Sequence, residues 1–339
     1  MSSIEFSRHV AQAPSVVEEL VGGGDVPALD PDRPLVLAGI GTSLHACRVA
    51  ATWIRRLSGG RLRPAALDAH DLALTESLTA RDQVVVVSHR GSKTYPNEVL
   101  RKANAVGATT VCVTGRGPVR PEATTVLRTC DQERASTHSV SYLASLAVLA
   151  RLAAGLVGPE RGEELRAALG AAPEAMRRTL DLELAPRAVD ALVGSVPHPV
   201  LVAGGGLDAI TADEAALKIK EGTYRWTEGL HTEFALHGTP AVFSSSTVGY
   251  LIRPTAPDGG RTDALAGYLD ALGAPVLFSG SDPTAELPFA EVPELARPFV
   301  TVLPFLRLVA AAAAELGASP DLTHLEAEPW ATAAKAVRL

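Results

Sequence analysis

The segment VVVVSHRGSKTYPNE, residues 84–98, decides how the rest of the sequence is interpreted. Four consecutive valines are typical of a strand that is buried on both faces of a parallel sheet. The residues that follow carry hydroxyl, imidazole and cationic side chains: Ser88, His89, Arg90, Ser92 and Lys93. At the carboxyl end of a parallel strand, backbone N–H groups and the next helix N-terminus favour an anion. The segment therefore predicts an α/β fold with an anion-binding loop, and a solvated turn is the alternative.

The composition argues against several classes of function. The chain has 339 residues, of which 47% are hydrophobic, and a formal net charge of −7. An acidic surface disfavours bulk binding to nucleic acid or anionic membranes, so we expect neither as a partner. The three cysteines form neither a disulfide framework nor a zinc motif. Because the N-terminal residues also lack the apolar core of a signal peptide, a cytoplasmic location is expected.

The most apolar late segment is VTVLPFLRLVAAAAAELG, residues 300–317. Its length approaches that of a membrane span, but it contains Pro304 and Arg307. It is therefore predicted to be a buried helix of the core.

Apolar strands alternate with helical segments twice along the chain. Strand-like runs occupy residues 34–41, 83–88, 109–115 and 124–129, then 198–206, 247–254 and 274–280. The two series start about 165 residues apart and share one order, which predicts a tandem duplication of a parallel α/β domain. The predicted parts are a first domain at 1–158, a helical connection at 159–193, a second domain at 194–325 and a tail at 326–339.

Two glycine turns partly resemble the dinucleotide-binding fingerprint G-x-G-x-x-G/A. GIGTSL, residues 39–44, lacks the third glycine, and GGGLDA, residues 204–209, matches the fingerprint only loosely. No acidic residue ends a second strand about 20 residues later, because EGTYRWTEG, residues 221–229, is predicted to be helical. Nicotinamide binding is therefore disfavoured, and no cofactor is expected.

Residues 217–243 concentrate titratable side chains in a short stretch of chain. Glu214, Lys218 and Glu221 fall on roughly one side of a predicted helix. His231, Glu233 and His237 are candidate metal ligands, but their spacing matches no zinc motif, so no metal is expected. A solvated helix followed by a histidine-bearing loop is the alternative.

Six segments, taken in order, resemble the isomerase half of the glutamine–fructose-6-phosphate aminotransferases, a tandem pair of sugar isomerase (SIS) domains with a flavodoxin-like fold. GIGTS resembles the C-G-T-S turn of that family, and SHRGSK stands where the family has S-Q-S-G-E-T. ERASTHS resembles V-A-S-T-K, and ALKIKEGTY resembles A-L-K-L-K-E-I-S-Y. LHGTPAVF resembles K-H-G-P-x-A-L, and AAKAV resembles L-A-K-S-V. The resemblance covers nearly the whole chain.

The resemblance implies a role for each matched residue. Glu221 would be the general base that moves a proton between C1 and C2, and Lys218 a supporting cation. His237 would open the sugar ring from the neighbouring subunit, which implies a homodimer. Lys335 would form a Schiff base with the ketose, and the C-terminal tail would close the active site. The implied substrate-binding residues are Gly41, Thr42, Ser43, Ser88, His89, Arg90, Ser92, Lys93, Ala135 and Ser136.

The resemblance also implies an activity, with marked departures. We expect a sugar-phosphate aldose–ketose isomerase, or an amino-sugar-phosphate deaminase or ammonia-dependent aminating enzyme. The chain starts MSSIEF without the family's glutamine-hydrolysing domain, so a separate ammonia-supplying glutaminase partner is one option. His89, Arg90 and Lys93 replace the family's glutamine, serine and threonine. The alternatives are a sugar-phosphate sensor and a specialised isomerase or aldol-type enzyme acting on an unusual anionic substrate.

Overall fold

In the computed structural model, which describes residues 4–195 and 198–337, the valine run forms the middle strand of a five-stranded parallel sheet. The strands of this first sheet are β1 Leu35–Gly39, β2 Ala65–Asp68, β3 Gln83–Val87, β4 Thr109–Arg116 and β5 Thr125–Asp131. The helices up to residue 193 are α1 Ile4–Val21, α2 Thr42–Leu57, α3 Ala69–Leu74, α4 Thr94–Ala105, α5 Val140–Leu156, α6 Pro159–Asp181 and α7 Pro186–Val193. The strand order is β2-β1-β3-β4-β5, which is the flavodoxin-like order.

The valines of β3 are buried on both faces of the sheet, as their sequence predicts. Val84 and Val86 pack in a cluster with Val99 and Leu100 of α4. Each buried valine side chain stabilises the fold by about 1.5–3 kcal/mol relative to an exposed one. The apolar run thus fixes β3 in the centre and sends the polar residues after it to the carboxyl edge of the sheet.

A second five-stranded parallel sheet repeats this strand order. Its strands are β6 Val200–Gly204, β7 Thr227–His231, β8 Val248–Ile252, β9 Val276–Gly280 and β10 Leu287–Pro288. The remaining helices are α8 Leu207–Thr223, α9 Thr232–Ala235, α10 Arg261–Ala271, α11 Arg297–Val300, α12 Leu303–Leu316 and α13 Trp330–Ala334, with 3₁₀ turns at Thr239–Val242 and Glu294–Ala296. The order β10-β9-β8-β6-β7 matches the first sheet when the second series is renumbered from its own start. The prediction of two parallel sheets flanked by helices is confirmed.

The chain divides into two compact units, each built from separate segments. The first-sheet unit comprises Ser15–Glu133, Val140–Gly170 and Glu328–Leu339. The second-sheet unit comprises Met1–Pro14, Arg134–Ser139 and Ala171–Ala327. The domain boundaries predicted from sequence at residues 158, 193 and 325 remain a prediction.

The prediction that residues 221–229 are helical holds only as far as Thr223 and is wrong for the residues after it. Helix α8 ends at Thr223, Tyr224 takes a left-handed conformation with φ 60, and β7 then pairs with β6. Gly229 in β7 lies so close to α8 that a Cβ atom there would stand 2.5 Å from the Asp213 Cα. The strand therefore carries a glycine where strands usually carry a branched residue, which hides it from sequence patterns.

One helical stretch, Glu294–Leu316, is long and apolar enough to cross a membrane by length and composition. In the structure, 67% of its most apolar window is buried, and Leu303, Phe305 and Leu306 lie in the core. A core helix passes the same length and composition test.

Candidate functional site

The loop between β3 and α4, residues 88–93, is held in a fixed turn at the carboxyl edge of the first sheet. The Ser88 backbone N–H donates to the Val113 carbonyl at 2.9 Å, and the Gly91 N–H donates to the Ser88 carbonyl at 3.0 Å. Gly91 has φ 67, and a Cβ atom there would also stand 3.1 Å from the Thr114 Oγ1. A residue with a side chain would therefore strain this turn.

Several polar groups of this loop are unsatisfied. The Ser88 side chain is 5% exposed, and its Oγ has no hydrogen-bond partner within residues 4–195 and 198–337. Lys93 stands at the N-cap position of α4, where no side chain caps the helix. Buried hydroxyls and helix-start N–H groups normally find partners, so this loop has donors available for a ligand.

The charge of the loop is positive. Neither Arg90 nor Lys93 makes an ion pair in the described part of the chain. Burial lowers the pKa of Lys93, and the nearby Arg90 lowers it further. Two cations in proximity repel each other, and a bound anion would relieve that repulsion. The alternative of a merely solvated turn accounts for the exposed Arg90 but leaves the buried hydroxyl of Ser88 without a partner among the described residues.

The His89 side chain fixes the loop to its neighbours. It is buried, and its Nε2 accepts a hydrogen bond from the Glu133 backbone N–H at 3.1 Å. The His89 carbonyl accepts hydrogen bonds from the Gly115 N–H at 2.9 Å and the Gln132 Nε2 at 2.9 Å. A substrate-binding role for His89 remains a prediction. In the structure, the hydrogen bonds of His89 hold the loop against Glu133, Gly115 and Gln132.

The turn between β1 and α2 opens on the same edge of this sheet, because β1 and β3 are neighbouring parallel strands. Gly41 has φ 55 and stands at the N-cap of α2, which no side chain caps. Thr42 and Ser43 begin the helix and are half-buried. The structure therefore brings this turn and residues 88–93 to one edge of the first sheet.

Ala135 and Ser136 belong to the second-sheet unit. Ala135 is buried, and the Ser136 N–H donates to the Asp321 carbonyl at 2.9 Å. The side chain of Asp321 in turn accepts a hydrogen bond from the Phe6 N–H at 2.8 Å, at the start of α1. These contacts give the segment a fixed backbone in its own unit.

Helix α8 carries a cluster of three charged side chains in the second-sheet unit. The side chains of Glu214 and Lys218 are each 1% exposed, and the Lys218 Nζ lies 3.5 Å from the Glu214 Oε1. The same Nζ donates to the Glu221 Oε2 at 2.8 Å. The Glu221 side chain is 32% exposed, so its carboxylate is held by a buried cation yet open to a ligand. The predicted grouping of these three residues on one helix side is observed.

His237 forms a separate cluster with Glu233 and Arg261. The His237 Nε2 and the Glu233 Oε1 are 2.7 Å apart, and the Arg261 Nε donates to the other oxygen of Glu233. His231 is used differently, since its Nδ1 accepts a hydrogen bond from the Glu233 N–H at 3.2 Å. No group of three metal-binding side chains occurs among the described residues, this cluster included.

The hydrogen bond from Arg261 holds the pKa of Glu233 below its usual range, and the hydrogen bond with His237 adds to the shift. Such a carboxylate stabilises the fold above its ordinary pKa of about 4.3, and that contribution is lost as the pH falls through the lowered value. An NMR titration of the side-chain carboxyls should therefore show Glu233 titrating below about pH 4.3. Arg261→Gln should move the midpoint up, whereas Lys220→Gln should not. An unchanged midpoint in Arg261→Gln would contradict this account.

The turn after β8 differs from the loop after β3 in its charge. The Asp258 carboxylate accepts hydrogen bonds from the Gly260 N–H at 2.9 Å and the Thr262 N–H at 2.8 Å, at the start of α10. This carboxylate occupies the position that an external anion would take at a helix start. In the second sheet, the Asp258 carboxylate thus caps the helix start after β8. In the first sheet, no side chain caps the helix start after β3, and the loop there is cationic.

Lys335 follows α13 in the first-sheet unit and is exposed. Its backbone N–H donates to the Thr332 carbonyl at 3.2 Å. A Schiff-base role for its amine remains a prediction.

Sequence reasoning missed residues that reach these clusters from distant strands and helices. Arg128 and Gln132 lie near residues 88–93 from β5 and the residue after it, and Arg261 reaches Glu233 across 28 positions. The available signal for the first two is their position at the carboxyl end of a parallel strand. No local pattern identifies Arg261.

The first half of the chain is similar to a defined domain family. Residues 29–154 match the model of the SIS domain. A second SIS domain is not confirmed, because the family match covers only these residues. The glutamine–fructose-6-phosphate aminotransferase [isomerizing] of Brucella abortus is 28% identical over 317 residues, which cover 85% of this chain and 50% of that protein. The chain thus spans about half the length of the curated relatives it matches.

Solved structures share the fold over nearly the whole chain. The C-terminal domain of glucosamine-fructose-6-phosphate aminotransferase from Francisella tularensis has a TM-score of 0.80 at 17% identity, covering 93% of this chain and 97% of that one. Glucosamine-6-phosphate deaminase from Thermotoga maritima has a TM-score of 0.74 at 17% identity, covering 94% and 97%. At these identities the likeness establishes the fold.

Proposed function

We propose that the protein is a sugar-phosphate isomerase that moves a proton between C1 and C2 of an open-chain sugar, with amination or deamination at C2. The observation that carries the proposal is the uncapped, cationic loop at residues 88–93 in an SIS domain. A phosphoryl group is an anion that accepts hydrogen bonds from hydroxyls, backbone N–H groups and fixed cations. The names of the relatives, an aminotransferase and a deaminase of phosphorylated sugars, support the same substrate class.

Glu221 is the proposed general base. Proton abstraction next to a carbonyl needs a positioned carboxylate, and the hydrogen bond from Lys218 at 2.8 Å positions this one. The Lys218 ammonium is also the proposed charge that stabilises the enediolate oxygen as it forms. Lys218 is buried, whereas the Glu221 side chain is 32% exposed. The substrate therefore approaches the exposed part of the Glu221 side chain.

His237 and Lys335 complete the proposed chemistry. The imidazole of His237 transfers the proton that opens and closes the sugar ring, a role that suits a side chain able both to donate and to accept a proton. The amine of Lys335 forms the Schiff base with the ketose, and the chain around it moves to admit substrate. The ammonia required for amination comes from solution or from a separate glutaminase.

The proposal includes a homodimer in which a second copy covers the surface around His237. The His237 side chain is 71% exposed. Phe234 and Val242, close to it in sequence, are 62% and 67% exposed. Exposed apolar side chains beside a polar functional group are typical of a surface that a partner covers.

The second candidate is a sugar-phosphate sensor, which would use the same loop but no proton transfer. The Glu221–Lys218–Glu214 cluster favours an enzyme, because burying the charges of Lys218 and Glu214 beside a half-exposed carboxylate costs stability and needs a reason. Proton NMR in D2O separates the two functions. The purified protein is mixed with fructose 6-phosphate or glucosamine 6-phosphate, with and without ammonium. Loss of the C1 or C2 proton signal supports the enzyme, and binding without exchange supports the sensor.

The phosphoryl-binding role of the loop predicts a large loss of affinity when its cations are removed. Arg90→Ala/Lys93→Ala should weaken binding of inorganic phosphate and of fructose 6-phosphate by about 100-fold or more, since charge-assisted hydrogen bonds contribute about 1.5–3 kcal/mol each. Isothermal titration calorimetry measures the change. Arg81→Ala, which removes an exposed arginine at the other end of β3 in the same unit, is the control. Unchanged affinity in the double variant would overturn the assignment of this loop.

A further inference from the structure

A pocket of about 210 Å³ adjoins the loop within the first-sheet unit. Arg90 and Ser92 line it from the loop, residues 117–119 from the β4–β5 connection, and Arg128 and Gln132 from the end of β5. This volume is many times the about 10–15 Å³ that a single water needs on the same measure. A single phosphoryl group fills only part of such a pocket.

Arg128, which lines the pocket together with Arg90, is a cation held in a fixed position. The Arg128 Nη1 donates to the Gly115 carbonyl at 2.7 Å, and its Nη2 donates to the Val119 carbonyl at 2.8 Å. These carbonyls orient the guanidinium without neutralising its charge. No carboxylate is among the residues that line the pocket. The acidic residue at the end of β5, Asp131, instead stands 4.0 Å from Arg116.

The loop and the pocket together hold more positive charge than one phosphate dianion neutralises. Arg90 and Lys93 already balance two negative charges, and Arg128 adds a third cation to the lining of the pocket. Lys93 stands at the start of α4, so it is the cation placed for an anion at that helix start. Arg90, Arg128 and Ser92 then remain for a second anionic group.

We propose that the ligand of this loop carries two adjacent anionic groups, as in a diphosphate, and that the second group occupies the pocket between Arg90 and Arg128. The inference rests on the phosphoryl-binding role proposed above and narrows the substrate to a sugar whose phosphate bears a further phosphoryl group. Fork-shaped guanidinium groups suit this recognition, because each donates two parallel hydrogen bonds to phosphate oxygens.

The test compares inorganic pyrophosphate with inorganic phosphate by isothermal titration calorimetry at one pH and ionic strength. The wild-type protein should bind pyrophosphate at least about tenfold more tightly. Val119 lines the pocket, is 37% exposed, and contributes only its carbonyl to Arg128, so its side chain can be changed without removing that contact. Val119→Glu places a carboxylate beside Arg128 and should reduce the preference to less than about threefold. Val119→Gln, of the same shape and uncharged, should retain it.

Three results would count against the inference. Equal affinities for the two anions in the wild-type protein would overturn the inference and leave the phosphoryl-binding role standing. Binding of neither anion would defeat both. A preference that survives Val119→Glu would show that the second group binds elsewhere, which also overturns the inference.

Discussion

Glu221→Gln should abolish the exchange of C1 and C2 sugar protons with D2O, with a fall in rate of about 100- to 10,000-fold, the usual contribution of a general base. Glutamine keeps the shape of the side chain and a carbonyl oxygen for the Lys218 ammonium, which lies 2.8 Å from the present carboxylate. It cannot accept the proton from carbon. Proton NMR with fructose 6-phosphate and glucosamine 6-phosphate, with and without ammonium, measures the rate.

Two controls separate a lost base from a damaged protein. Phosphate binding should survive in Glu221→Gln, because the loop at residues 88–93 belongs to the first-sheet unit and Glu221 to the second-sheet unit. Glu228→Gln, which neutralises an exposed carboxylate on β7, should exchange protons at the wild-type rate. Exchange in Glu221→Gln as fast as in the wild-type protein would show that another group is the base.

The features that sequence predicts well in this chain are local ones. The valine run specifies β3 because four branched apolar residues suit only a strand covered on both faces. The spacing of Glu214, Lys218 and Glu221 specifies their contacts because residues three and four apart are neighbours on a helix. In both cases the pattern and the contact lie within one element.

The features that sequence misses depend on packing between elements. β7 has little apolar character, and its position follows from the close approach of Gly229 to α8. The Arg261–Glu233 contact joins α10 to α9. Arg128 is held at the pocket by a hydrogen bond to the Val119 carbonyl of the β4–β5 connection. These contacts depend on the order of the strands in the sheets. The spacing of residues within one segment carries no information about that order.

Lys218→Met should destabilise the protein by about 3–5 kcal/mol, because removing one partner of a buried ion pair leaves the other charge uncompensated. Methionine is unbranched and of similar length, so it fills the space of the lysine stem. The loss arises from Glu214, whose side chain is 1% exposed and loses the ammonium 3.5 Å away. At about 2–4 °C per kcal/mol for a unit of 150–250 residues, the unfolding temperature should fall by roughly 6–20 °C. Calorimetry at neutral pH measures it.

The double variant Glu214→Gln/Lys218→Met decides whether the cost is electrostatic. Replacing both members of a buried ion pair is often neutral, whereas removing one is not, so the double variant should recover most of the lost stability. Glu214→Gln alone should cost less than Lys218→Met, because Lys218 keeps the Glu221 carboxylate at 2.8 Å. If the double variant is no more stable than Lys218→Met, the stability lost in Lys218→Met comes from the packing of the lysine side chain and not from its charge. If the double variant folds but exchanges no sugar protons, the Lys218 ammonium is required for the chemistry in addition to the fold.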